Sequence, residues 1–199
     1  MMQVIDFYYD FGSPNAYIVD LLLPDIAAHH AATIRYHPVL LGGIFKATGN
    51  QSPALAGVKS KMAYLRLEMD RFVARHNLRF AFNPHFPINS VAMMRGAIFA
   101  QGKPWEAIYR ATMFRHCWDE GADMNDPETL MNVLKSEGLP AETIATAIQQ
   151  PDIKTALFAA TDAAIKRAIF GVPTMFIGSE MYFGKDSLTD LETHLSNKG

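Results

Sequence analysis

The spacing of hydrophobic and polar positions changes character twice along the chain. From Gln3 to Asp10 the β-branched and aromatic run Val4-Ile5-Asp6-Phe7-Tyr8-Tyr9 predicts a strand. Ser13 followed by Pro14 reads as a helix N-cap and an N1 proline. A helix is therefore predicted through Tyr17, Val19, Leu21 and Leu22 to about His30, with a kink expected at Pro24. Thr33-Ile34-Arg35-Tyr36-His37, closed by Pro38, predicts a second strand, and the strand, crossover helix and strand together predict a right-handed parallel pair.

From Leu40 to about Phe170 the period lengthens to that of helices. Segments are predicted at Lys59–Asn77, Ser90–Gln101, Trp105–Trp118, Pro127–Glu137, Ala141–Ile148 and Ile153–Arg167. Asn83-Pro84, Pro87, Gly102-Lys103-Pro104, Gly121, Asp126-Pro127 and Gly138-Leu139-Pro140 mark the breaks. Asp126-Pro127-Glu128 supplies an N-cap, an N1 proline and an early acidic residue in order. The short period then returns. Met175-Phe176-Ile177, the turn Gly178-Ser179 and Glu180-Met181-Tyr182-Phe183 predict a hairpin. A last helix from Asp186 or Ser187 carries Leu188, Leu191 and Leu195 on one face. Neither end can bury a sheet alone, whereas together they supply four strands and at least two helices. The expected fold is an α/β domain in two pieces, residues 1–50 and 168–199, interrupted by an all-helical insertion over 51–167.

Composition narrows the function classes. A net charge of −2 over 199 residues provides no clustered cationic field for nucleic acid. No stretch approaches the roughly 20 apolar residues of a membrane span. The first residues show strand-like alternation instead of a basic flank and apolar core, so a soluble, cytoplasmic protein is expected. One cysteine, Cys117, excludes an intramolecular disulfide and any Cys-based zinc cluster, and its place between His116 and Trp118 suits a buried small hydrophobe. His29-His30, His76 and His85 lack metal-ligand spacing, and Asp119-Glu120-Gly121-Ala122-Asp123 lacks the ligands of a calcium loop, so no metal is expected.

Ser13-Pro14-Asn15-Ala16 lies on the turn where a thioredoxin-type chain carries Cys-x-x-Cys, and both cysteines are missing. A site that holds a thiolate at a helix N-terminus without owning a thiol must take its sulfur from a ligand. Four segments then carry a resemblance: Asp10-Phe11-Gly12-Ser13-Pro14-Asn15-Ala16-Tyr17, Leu40-Leu41-Gly42-Gly43-Ile44-Phe45-Lys46-Ala47-Thr48-Gly49-Asn50-Gln51, Phe170-Gly171-Val172-Pro173-Thr174 and Phe183-Gly184-Lys185-Asp186. In order and over nearly the full chain, they resemble the signature segments of the 2-hydroxychromene-2-carboxylate isomerase and kappa-class glutathione transferase family. That family is related to the DsbA-type oxidoreductases.

The resemblance implies a thioredoxin-like domain interrupted by a helical one, with glutathione as cofactor, a small aromatic substrate and a homodimeric assembly. It implies that Ser13 donates to the glutathione sulfur, and that Pro173 is cis and presents Val172 to the cysteinyl group in the manner of an added strand. Asn50 and Lys59 would meet the peptide groups and the glycyl carboxylate. Lys185, Asp186 and Ser187 would hold the γ-glutamyl end, unless Asp186 acts only as a cap. For the second substrate the candidates are Asn89, which is equally plausible as an N-cap, Lys46 and Arg95 for a carboxylate, and Phe11, Tyr17, Phe45, Tyr64, Phe82 and Phe86 as an aromatic wall.

The expected reaction is a glutathione-dependent cis–trans isomerisation of an aromatic conjugated 2-oxo acid such as 2-hydroxychromene-2-carboxylate. Two alternatives stand beside it: a transferase that releases conjugates, and a thioredoxin-like binding module without catalysis. Disulfide exchange is disfavoured, because Ser13 cannot supply an attacking thiolate. No Gly-x-Ser-x-Gly elbow surrounds Ser13, which counts against a hydrolase.

Overall fold

In the computed structural model of the chain, residues 2–52 and 57–197 are described. The ends of the expected split domain at 1 and 198–199, and residues 53–56 of the expected insertion, lie outside them. The alternating run forms β1 (Val4–Tyr9), and α1 (Pro14–His29) follows. The Ser13 side chain caps α1 by accepting the Ala16 N–H, and Pro14 stands in its first turn. The helix continues through Pro24 as one element. β2 (Thr33–Pro38) pairs parallel with β1, setting Val4 opposite Thr33 and Tyr9 opposite Pro38.

The helical stretch comprises α2 (Leu41–Thr48), α3 (Lys59–His76), α4 (Val91–Ala100), α5 (Glu106–Trp118), α6 (Pro127–Ser136), α7 (Ala141–Ala147) and α8 (Pro151–Lys166). Asp126 caps α6 as its sequence signature predicts, accepting from the N–H groups of Glu128 and Thr129. The hairpin β3 (Thr174–Ile177) and β4 (Glu180–Phe183) then completes a four-stranded sheet in the order β2-β1-β3-β4, with β3 antiparallel to both neighbours. A 3-10 turn (Lys185–Ser187) leads into α9 (Leu188–Asn197), whose Leu188, Leu191 and Leu195 are buried. Among the described residues, no helix is long and apolar enough to cross a membrane.

The period-2 alternation of β1 sorts its side chains between two cores. Ile5, Phe7 and Tyr9, joined by Phe11, enter the large cluster with Met93, Phe114 and Trp118 of the helical stretch. Tyr8 turns the other way and packs with Val39, Ile44, Ala164, Val172 and Phe176. Asp6 shares that parity and meets Arg167 just past α8 at 2.8 Å, with Arg35 and His37 on the neighbouring strand at 2.8 and 2.9 Å. Sheet and helical stretch are thus joined by a shared core, and Arg110 of α5 is further tied to the buried Asp20 of α1 at 2.7 Å.

One helix departs from the sequence pattern. Gly42 and Gly43 argue against helix on propensity, so Leu41–Thr48 is not foreseen. Tertiary contacts decide it. Leu41 N–H is accepted by the Asp10 carboxylate at 2.8 Å, and a side chain at Gly43 would come within 3.2 Å of the Thr161 methyl on α8. The missing side chain lets α2 lie close against α8.

A second glycine sets a tighter approach. A Cβ at Gly96 on α4 would overlap the Tyr109 hydroxyl of α5, and that ring cannot swing away, being buried and bonded to Met93 O at 2.9 Å. Gly96→Ala is therefore expected to lower stability by about 1–3 kcal/mol, the usual cost of overpacking. Urea unfolding checks it, with a midpoint equal to that of the parent protein as the contrary result.

Candidate active site

The candidate site grows out of the turn between β1 and α1. Asp10 ends the strand, Ser13 N–H bonds Asp10 O at 3.1 Å, and the Ser13 hydroxyl, only 5% exposed, sits at the start of α1. Its oxygen accepts the Ala16 N–H at 3.2 Å while its proton is given to Val172 O, also at 3.2 Å. The cap bond fixes the oxygen but not the hydroxyl torsion, so the proton can be turned toward another acceptor. The Val172–Pro173 bond is cis, as the resemblance implies, and Gly184 N–H bonds Pro173 O at 3.0 Å.

Beneath this turn lies the buried Asp10 carboxylate. It accepts Gly12 N–H and Leu41 N–H, each at 2.8 Å, and is hydrogen-bonded by the Ser90 side chain. Burial pushes its carboxyl above the usual carboxylate range, against those donors, which favour the anion. Asp10 thereby ties the Ser13 turn to the start of α2 and to the approach of α4.

Above Ser13 opens a cavity of about 350 Å³. Its lining includes the polar residues Ser13, Asn15, Asn50 and Gln51. Asn50 is held by donating to Phe170 O at 2.9 Å and by accepting Gln51 N–H at 2.8 Å. It also includes the aromatic residues Phe80, Phe82 and Phe86, whose rings form a wall, together with Phe45, Phe170 and Phe183. The wall is braced from behind by Trp118, whose ring lies 6.0–6.3 Å from those of Phe80, Phe82 and Phe86. Trp118 is itself anchored by its indole N–H to Phe11 O at 2.7 Å. The remaining face belongs to α3, which presents Met62, Leu65, Arg66, Glu68 and Met69.

The structure therefore brings together Ser13, Asn50 and Val172 with Phe45, Phe82 and Phe86, drawn from distant parts of the sequence. Other expected residues are placed elsewhere. Lys59 is exposed at the start of α3 and Lys46 is exposed on α2, and neither lines the cavity. Phe11 and Tyr17 are corrected from pocket wall to core: both are buried among Tyr9, Tyr109 and Phe114, and the Tyr17 hydroxyl donates to Arg79 O at 2.9 Å. Tyr64 is largely exposed. Asn89 and Arg95 line a different cavity of about 380 Å³ beside α6 and α7, together with Asn125 and Leu130.

Lys185 is likewise corrected. Its side chain is 1% exposed, its ammonium group pairs with Glu68 at 2.5 Å and Asp186 at 2.9 Å, and it lies over the Phe72 ring at 4.5 Å. An ammonium group so committed braces α3 against the turn after β4 and is not offered to a ligand. Asp186 lines a cleft with Asp25, His29 and Arg75, and the Ser187 hydroxyl donates to Gly184 O at 2.8 Å, so neither faces the cavity above Ser13.

The residues missed in the sequence are those of α3 and Phe80. Met62, Leu65 and Met69 stand at i, i+3 and i+7, a stripe that periodicity reads as core, and Arg66 at i+4 reads as solvated surface. Here that stripe lines a cavity. Cys117 takes no part: it is buried, and burial, reinforced by the nearby Asp10 carboxylate, pushes its thiol far up. The chain's own sulfur is thus inert at neutral pH, and a thiolate beside Ser13 has to arrive with a ligand.

A four-stranded sheet with a helix opening on a serine turn, a cis-proline facing it and a helical stretch packed across them define a thioredoxin-like domain of the DsbA type. The chain belongs to the DsbA-like thioredoxin domain family, whose domain model matches residues 4–196. Within that family it is 31% identical over 192 residues to 2-hydroxychromene-2-carboxylate isomerase from Pseudomonas putida, covering 96% of this chain and 93% of the relative. Human glutathione S-transferase kappa 1 is 25% identical over 211 residues, covering 97% and 90% of the two chains. The solved structure of a 2-hydroxychromene-2-carboxylate isomerase superposes with a TM-score of 0.87 at 31% identity, covering 98% of this chain and 95% of the other. The resemblance carried by the four sequence segments is borne out, as is the expected α/β thioredoxin-like fold.

Proposed function

We propose that the protein is a glutathione-dependent cis–trans isomerase acting on an aromatic, conjugated 2-oxo acid of the 2-hydroxychromene-2-carboxylate type. One observation carries the reading: a serine hydroxyl with its oxygen fixed by a helix cap and its proton free to turn, in the lining of a cavity that combines polar side chains with a set of aromatic rings. Full-length similarity to named isomerases supports it.

Glutathione fits this cradle by the chemistry of its residues. The Val172 backbone beside cis-Pro173 is an edge suited to a cysteinyl peptide group, and Asn50 presents an amide. Lys59 retains the role proposed for it at the glycyl carboxylate. Bound glutathione would supply a thiolate that adds reversibly to the conjugated double bond, leaving a single bond about which rotation is cheap. Ser13 turns its proton from Val172 O toward the sulfur, and the α1 N-terminus adds its positive end. Together they hold the anion that a free thiol of pKa about 8.5 mostly lacks at neutral pH. Phe80, Phe82 and Phe86 orient the flat substrate and exclude water from it.

Ultraviolet monitoring of 2-hydroxychromene-2-carboxylate tests the reading. A spectral change is expected only when glutathione is present, with glutathione recovered at its original mass. No glutathione-dependent change would remove the isomerase assignment, and a stable thioether product would replace it with a transferase. A homodimer is the assembly proposed, measurable by light scattering.

A further inference from the structure

We propose that Arg66 is the carboxylate receptor of the second-substrate end of the cavity, and so selects anionic over neutral conjugated aromatic ligands. The inference rests on the reading above for the kind of ligand, and adds which group of this chain recognises it.

Three observations converge on Arg66. It occupies the i+4 position of the stripe Met62, Leu65, Arg66 and Met69, so a permanent cation stands beside three apolar side chains on the face of α3 that lines the cavity, with Glu68 as its charged neighbour there. Its guanidinium lies over the Phe82 ring at 4.4 Å from the centroid. A cation held over a ring face keeps its N–H donors for other partners, and the guanidinium fork suits a carboxylate in a paired, two-point contact. Finally, among the described residues no carboxylate pairs with it. Glu68, the neighbouring acid in the same cavity, is already bound to Lys185 at 2.5 Å.

The ligand that satisfies this arrangement is flat, aromatic at one end and anionic at the other. Its ring meets Phe80 and Phe86, and its carboxylate reaches the guanidinium edge. Phe82 serves both ends, holding Arg66 on its face and closing on Phe86 at 5.2 Å between centroids. Because Phe82 is backed by Trp118, the cation is carried on a braced wall and not on a free side chain. The exposure of Arg66 keeps the expected gain modest, about threefold to fivefold in affinity for an exposed charged contact.

The test compares cinnamate with its neutral amide, cinnamamide, by calorimetric titration of the parent protein, Arg66→Gln and Arg66→Lys, with and without glutathione. The parent is expected to bind the acid about threefold to fivefold more tightly than the amide. In Arg66→Gln that preference disappears while affinity for the amide and for glutathione is unchanged, and Arg66→Lys recovers part of it as a point charge without the two-point contact. Equal preference in the parent and Arg66→Gln overturns the proposal. So does a selective loss of glutathione affinity in Arg66→Gln, which would assign the guanidinium to the tripeptide. Turnover is not needed for any of these readings, so an inactive parent that still prefers the acid would remove the isomerase assignment and leave Arg66 standing.

Discussion

Ser13→Ala lowers isomerase turnover by about 10²–10³, the loss expected for one preorganised donor at a developing or resident anion. On the proposed reading, the thiol of bound glutathione is then expected to titrate back toward its solution value of about 8.5, from the lower value expected in the parent protein. The same oxygen also caps α1, so the alanine variant loses about 1 kcal/mol of stability besides. Ser13→Asp separates the two roles. Aspartate caps a helix as well as serine and suits its positive end, so the cap is kept, while the bond to Val172 O is lost in both variants. Its carboxylate beside the sulfur disfavours the thiolate, so turnover falls at least as far as in alanine. Unfolding midpoints, thiol titration and initial rates on the three proteins check this. A stable Ser13→Asp protein with parental turnover would reduce Ser13 to a cap.

Much of this site is written in local sequence. Ser13-Pro14 states a cap and a helix start in two residues, and the alternation of Ile5, Phe7 and Tyr9 against Tyr8 fixes which face of β1 meets which core. Pro173 in its Val-Pro-Thr setting marks the turn whose Val172 meets Ser13 across 159 positions of sequence. What stayed hidden depends on tertiary partners. Phe11 and Tyr17 carry the right chemistry for a ligand wall, yet rings are apolar whether they line a cavity or fill a core, and only packing separates the two. Lys185 reads as a free cation until Glu68 arrives from a distant helix to neutralise it. Arg66 looks like solvated surface among Lys61 and Lys59, because nothing near it in sequence announces that Phe82 will lie beneath it. The glycines of α2 oppose a helix locally, and contact with Asp10 and Thr161 overrides them.

Asp10→Ala is expected to produce the largest loss of stability, and to reach the site although the side chain never enters the cavity. The carboxylate accepts Gly12 N–H and Leu41 N–H, and its deletion leaves both donors unsatisfied. Both donors are part-buried, so each falls toward the lower end of the about 1–3 kcal/mol of a fully buried one, and the cost is about 2–4 kcal/mol. Asp10→Asn recovers part of this, because one carbonyl oxygen can serve one of the two N–H groups while its amide end opposes the other. The consequence for the site follows from what those groups hold. Gly12 sets the turn that carries Ser13, and Leu41 starts the helix that carries Phe45 and leads to Asn50. Both variants should therefore bind glutathione more weakly, in the order of their lost stability. The pH dependence has a defined sign. Burial raises the folded-state pKa of Asp10 above its unfolded value near 3.8, so its contribution is greatest below that value and falls as pH rises through the folded-state pKa. The stability gap between the parent and Asp10→Asn should accordingly be widest in acid and narrow on raising the pH across that interval. Urea unfolding at a series of pH values measures it, and a gap that widens with pH would show that the carboxylate is held as a favoured anion.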